Sequence, residues 1–187
     1  MRCQILVAML VMLIAACQNN YVGNEDSPYY QVPVGSRVIL NQPLTVRPDQ
    51  TGVLLQEGKV VPPGQLRTYD PHCKLELRTL AARERTIAPD EFMVTRVGRA
   101  QEHSVDAGGL QYAATSLARV ITVSDTPDNT PNIRAFVDRM YLGSDKQPEV
   151  FRLSCGHWGY PSEDTYISIN DTRRALGNIV TLRLAPH

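Results

Sequence analysis

Residues 73–78 (CKLELR) constrain the fold most, because Cys73, Leu75 and Leu77 alternate strictly with Lys74, Glu76 and Arg78. A period of two places one set on each side of an extended chain, so this stretch reads as a half-buried strand with its charges facing solvent. Shorter runs around it agree. Residues 37–40 form a strand, Asn41, Gln42 and Pro43 break it, and 44–46 continue it. Residues 53–56 and 59–61 flank Glu57 and Gly58 as the arms of a hairpin. Thr86 and Ile87 precede a turn at Ala88, Pro89 and Asp90, after which 92–97 are again extended. Residues 117–123 and 133–141 read as longer strands joined by the surface loop SDTPDNTPN. Thirteen prolines and twelve glycines, spread along the chain, favour short elements with many turns.

One helix stands out near the C-terminus. Ser168 or Asn170 can cap its start, Asp171 suits its positive end, Arg173 and Arg174 suit the other, and Gly177 fits the turn that ends it. Val180, Leu182 and Leu184 then share one face of a last strand, and a second short helix over 113–118 is compatible with the sequence. The expected fold is mainly β: an antiparallel sandwich or partly open barrel with one short C-terminal helix.

The N-terminus has a different character. Arg2 precedes an unbroken apolar run over residues 5–14, followed by Ala15, Ala16 and Cys17. Ten residues of helix cover about 15 Å, half of a hydrocarbon core, so the run reads as a cleaved export signal. Ile14, Ala15, Ala16 and Cys17 resemble the lipobox of bacterial lipoproteins. That resemblance implies cleavage before Cys17, a diacylglyceryl group on its sulfur and a palmitate-type acyl chain on its new amine, and two or more chains anchor stably. Gln18 follows where inner-membrane retention typically uses Asp, which implies a Gram-negative outer membrane. The expected organisation is a signal peptide at 1–16, a lipidated cysteine and flexible tether at 17–31, and a single β-rich domain at 32–187.

Nineteen basic and nineteen acidic residues balance, and loss of Arg2 with the signal leaves a formal charge of minus one. No basic field is present to hold nucleic acid. With Cys3 cleaved away and Cys17 lipidated, Cys73 and Cys155 remain, and an even pair in an oxidising compartment reads as one disulfide. It would close a loop of roughly 80 residues. His72 lies beside Cys73 and His157 close to Cys155, so the same four residues could instead hold zinc as a Cys2His2 set, or supply a thiol nucleophile. Neither pair has finger spacing, and adjacent residues of a strand point to opposite faces.

Further along, VPVGSRVILNQPLTV, PHCKLELRTL, EFMVTRV, RLSCGHW and ISINDTRRALG together resemble uncharacterised proteobacterial envelope lipoproteins. The resemblance spans most of residues 32–184 and implies a β-rich fold and paired cysteines, with no activity attached. The sequence has no G-x-S-x-G elbow, H-E-x-x-H pair or phosphate loop. The acidic stretches GNEDSP and PSEDTY lack calcium-loop spacing and read as solvated loops, and His103 lies in a polar stretch needing no role. His72, His157, Trp158 and Tyr160 are the candidate contact residues for a ligand or partner, with no cofactor and no metal expected. The functional expectation is a non-enzymatic, outer-membrane-anchored lipoprotein facing the periplasm. It would act by contact with an envelope protein, with a glycan- or small-molecule-binding module as the alternative and a Cys/His enzyme or zinc site third.

Overall fold

A computed structural model describes residues 23–103, 133–162 and 165–186. Among them are ten strands: β1 (Arg37–Leu40), β2 (Leu44–Val46), β3 (Gly52–Gln56), β4 (Lys59–Val61), β5 (His72–Leu77), β6 (Arg85–Ile87), β7 (Asp90–His103), β8 (Arg134–Gly143), β9 (Val150–Gly159) and β10 (Val180–Arg183). One helix, α1 (Ile169–Leu176), lies between β9 and β10. Eight strands pair in the order β10-β1-β7-β8-β9-β5-β3-β4, every pair antiparallel, while β2 and β6 form a separate two-stranded sheet.

The sheet curls into a half-barrel. Helix α1 shows why, since it packs on β10 at one end of the strand order and on β3 and β5 toward the other. Only a curled sheet brings distant strands onto one short helix. The helix turns Ile169, Thr172, Ala175 and Leu176 inward. Around them the concave face contributes Val38, Leu40, Val53, Leu55, Leu75, Phe92, Val94, Met140, Leu153 and Leu182, all buried. The small sheet adds Leu44, Val46 and Ile87 to the same core.

Local signals place α1 closely. Ser168 and Asp171 form a reciprocal capping box, with the Asp171 amide donating to Ser168 Oγ at 3.0 Å and the Ser168 amide to Asp171 Oδ2 at 3.1 Å. Glu57 and Gly58, at φ 51° and 71°, make the two-residue turn between β3 and β4, and positive φ at both positions suits the strand twist. That turn rests on the helix end. The Gly58 amide donates to the Ala175 carbonyl at 3.0 Å, and a Cβ on Gly177 would come within 2.3 Å of Gly58 Cα. Gly177 therefore ends the helix and admits the hairpin.

Several expectations change. The charges of β5 do not face solvent: Glu76 is only 8% exposed and the Lys74 side chain 15%. The reason is topological, because β5 lies inside the sheet between β9 and β3, whose side chains cover its outer face. Strand β7 runs to His103, well past residue 97, because it pairs along β8 through to Arg134. Strand β9 is not foreseen in the sequence as a strand at all. The domain also takes hold of the chain before Val32: the Asn170 amide donates to the Glu25 carbonyl, Asn170 Nδ2 to Asp26 at 2.7 Å, and Arg173 pairs with Glu25. GNEDSP is thus a strap on α1 and not a bare solvated loop. The expected strand at 117–123, helix at 113–118, loop at 124–132, the lipobox and Cys17 lie outside the described residues.

Candidate functional site

Cys73 and Cys155 are opposite each other in the β5–β9 ladder and are joined in a disulfide across 82 residues of sequence. Both are fully buried on the concave face. With both sulfurs in the bond, neither is a thiolate nucleophile or a metal ligand. Among the described residues no cluster of three His, Cys, Asp or Glu could hold a metal ion.

The two histidines are placed on opposite sides of the sheet. His72 faces Gly156 in the ladder and lies on the convex side, where its Nδ1–H donates to the Asp70 carbonyl at 2.9 Å. Burial lowers its pKa from the usual 6.5, which keeps the ring neutral at pH 7. His157 falls on the concave side, its Nε2–H donating to the Thr165 carbonyl at 2.7 Å and its ring meeting Phe136 edge-on. Pairing the cysteines therefore brings the histidines near in sequence register without giving them a common cleft. Trp158 is half-buried, its amide donating to the Thr68 carbonyl, and Tyr160 is 40% exposed just past β9.

What the fold does assemble is a polar convex face over β5, β9, β8 and β7. The antiparallel register puts Glu76 opposite Arg152, Lys74 opposite Ser154, Ser154 opposite Arg139, and Gly156 opposite Val137. Arg152 grips Glu76 with two bonds, Nε to Oε1 and Nη2 to Oε2, both 2.9 Å, and Ser154 Oγ donates to Glu76 Oε1 at 2.6 Å. Lys74 Nζ donates to Thr51 Oγ1 at 2.8 Å and lies 3.9 Å from Glu76. Burial opposes the Glu76 charge, but the Arg152 and Ser154 hydrogen bonds and the nearby cations outweigh it and hold the carboxyl below its usual range. Burial dominates at Lys74 and lowers its pKa.

These residues border a depression of about 120 Å³, lined by His72, Lys74 and Glu76 on one side and by Glu102 and Arg139 on the other. Ser154, Gly156 and Val137 give it a floor of small side chains. Gly156 has no substitute there, since a Cβ would stand 2.0 Å from the Phe136 carbonyl oxygen. Arg139 pairs with Glu102 at the rim. No Phe, Tyr or Trp lines the depression, so the candidate aromatics Trp158 and Tyr160 lie outside it.

Of the residues singled out in the sequence, only His72 belongs to this site. Lys74, Glu76, Arg139, Arg152 and Ser154 were missed, although one signal existed. In FRLSC, Arg152 and Ser154 alternate with Phe151, Leu153 and Cys155 just as Lys74 and Glu76 alternate with Cys73, Leu75 and Leu77. Setting the two cysteines opposite each other aligns Glu76 with Arg152. Compared with protein-family models, curated proteins and solved structures, the chain matches none. No described helix is long and apolar enough to cross a membrane.

Proposed function

We propose that this protein is a lipoprotein anchored through Cys17 in the outer membrane of a Gram-negative bacterium. On this reading its β-domain faces the periplasm and works without catalysis, by contact with another envelope protein. The anchor rests on the lipobox at residues 14–17. The contact role rests on the polar convex face, where ordered charges surround an open depression while the concave face is filled by its own core. Charged groups held in fixed geometry steer association and set register more than they add raw affinity. Such a face suits recognition of a polar partner.

Two measurements test the reading. Radiolabelled palmitate should mark the wild type and not Cys17→Ala; equal labelling would remove the anchor. Photocrosslinkers placed at Glu102 and Val137 in intact cells should trap a discrete protein partner, while one at Arg183, on the far edge strand, should not. Equal yields from both regions would remove the contact role of the convex face.

A further inference from the structure

The strap on α1 shortens the reach between Cys17 and the domain. Were residues 17–31 a free tether, full extension would give about 50 Å. Instead the chain is held from Glu25 onward. The Asn170 amide donates to the Glu25 carbonyl at 3.3 Å, Asn170 Nδ2 to Asp26 at 2.7 Å, and Arg99 Nη2 to the Tyr30 carbonyl at 3.3 Å. Arg173 pairs with Glu25, and Val32 is buried. The stretch from Cys17 to Glu25 therefore spans about 28 Å at most, for any backbone conformation. A globular domain of this size is roughly 40 Å across. The strap is thus excluded from the pole farthest from an anchor at Cys17, and it is the part of the domain the anchor draws in.

What the strap presents is an aromatic ring. A turn closed by the Tyr30 amide on the Ser27 carbonyl separates two adjacent tyrosines. Tyr30 packs against the core, while Tyr29 is 73% exposed, the most exposed large apolar side chain among the described residues. Tyrosine combines an apolar ring with a polar tip, which is why it concentrates at membrane–water interfaces. Charge around the strap is nearly balanced, since Glu25 pairs with Arg173 and Asp171 with Arg174, leaving Asp26. A single ring holds a bilayer weakly on its own, but a short tether gives it an effective concentration on the order of millimolar.

We propose that the strap docks the domain on the bilayer surface, with Tyr29 seated at the membrane–water interface. The inference rests on lipidation at Cys17 as given above, and it adds the surface of the domain that meets lipid. With no basic excess around the strap, docking depends on the ring and the short tether and is indifferent to lipid charge.

The test uses the full-length lipidated protein, purified from membranes and placed in vesicles of phosphatidylcholine with or without phosphatidylglycerol. A photoreactive benzoyl-phenylalanine replaces Tyr29 in one sample and Leu80, also exposed and in the β5–β6 connection, in another. Mass spectrometry should find several-fold more lipid adduct at position 29 than at position 80, equally in both kinds of vesicle. A Gly-Ser insertion of about twelve residues after Asn20 leaves the strap intact and should cut the yield at position 29 about fourfold, because effective concentration falls with roughly the three-halves power of tether length. Equal yields at the two positions, no lipid adduct at position 29, a yield unchanged by the insertion, or a yield that requires phosphatidylglycerol would overturn the proposal. Palmitate on Cys17 without a lipid adduct at position 29 would keep the anchor and discard the docking. Palmitate labelling independent of Cys17 would discard both.

Discussion

The two faces of the half-barrel share the same strands but are held together by different physics. On the concave face, Cys73, Leu75, Leu153, Phe92 and Met140 exclude water, and the disulfide ties β5 to β9 from within. On the convex face, Glu76, Arg152 and Ser154 tie the same two strands through charge and hydrogen bonds. Cys73 with Cys155 and Glu76 with Arg152 stand three residues apart in one register, one pair on each side. A slip of one residue would send the cysteines outward and the charges into the core, so each face forbids the slip that the other would suffer. The lesson is that register here is specified twice, by covalent and by ionic means.

The largest effect on this arrangement should come from removing the covalent link. Replacing both Cys73 and Cys155 by Ala should cost about 4 to 5 kcal/mol, the chain-entropy value for so long a loop, read as a lower urea midpoint with a steeper slope, because the unlinked denatured chain exposes more surface. A midpoint within error of wild type would show that the convex ionic pairing alone holds β5 to β9. Next, Phe92→Ala should cost about 3 to 5 kcal/mol through a cavity in the concave core.

The convex face should give less, and its contribution should depend on acid. Glu76→Gln leaves the partly buried Arg152 without its counter-charge and should cost about 2 to 3 kcal/mol at pH 7. The folded pKa of Glu76 lies below its ordinary 4.5. Its stabilisation is therefore full above the unfolded value and lost as pH falls through the folded one. Wild type should lose stability over that range more steeply than Glu76→Gln, by thermal melts at pH 6 and pH 3; parallel curves would show that Glu76 contributes nothing through its charge. The smallest effect belongs to the strap, where Glu25→Ala should cost under about 1 kcal/mol because the Arg173 pair is partly solvated. Hydrogen exchange at residues 24–30 should nevertheless rise, and unchanged protection there would show that the backbone bond from Asn170 suffices.

Much of the fold was legible. The hairpin about Glu57 and Gly58, strands β1, β2 and β8, the Ser168 cap and the stop at Gly177 all rest on local rules of turn, cap and alternation. The disulfide followed once Cys17 was assigned elsewhere. The site was harder to see. Strand β5 was read as half-solvated because Lys74, Glu76 and Arg78 look alike in sequence, yet only Arg78 of the three is exposed. Strand β9 mixes glycine, serine, histidine and arginine with few aliphatic residues, so its propensity is weak and pairing on both edges decides its state.

By itself, then, the sequence determined a chain of short antiparallel strands with one capped helix, a signal-like N-terminus and a single cysteine pair, since these depend on neighbours a few residues apart. Only the tertiary structure decided that the sheet curls around α1, that His72 and His157 part to opposite faces, and that Lys74, Glu76, Arg139 and Arg152 converge on one depression. Those outcomes depend on which strands become neighbours. Loop closure and the burial of whole faces settle that choice, and both act across distances in sequence that no local pattern spans.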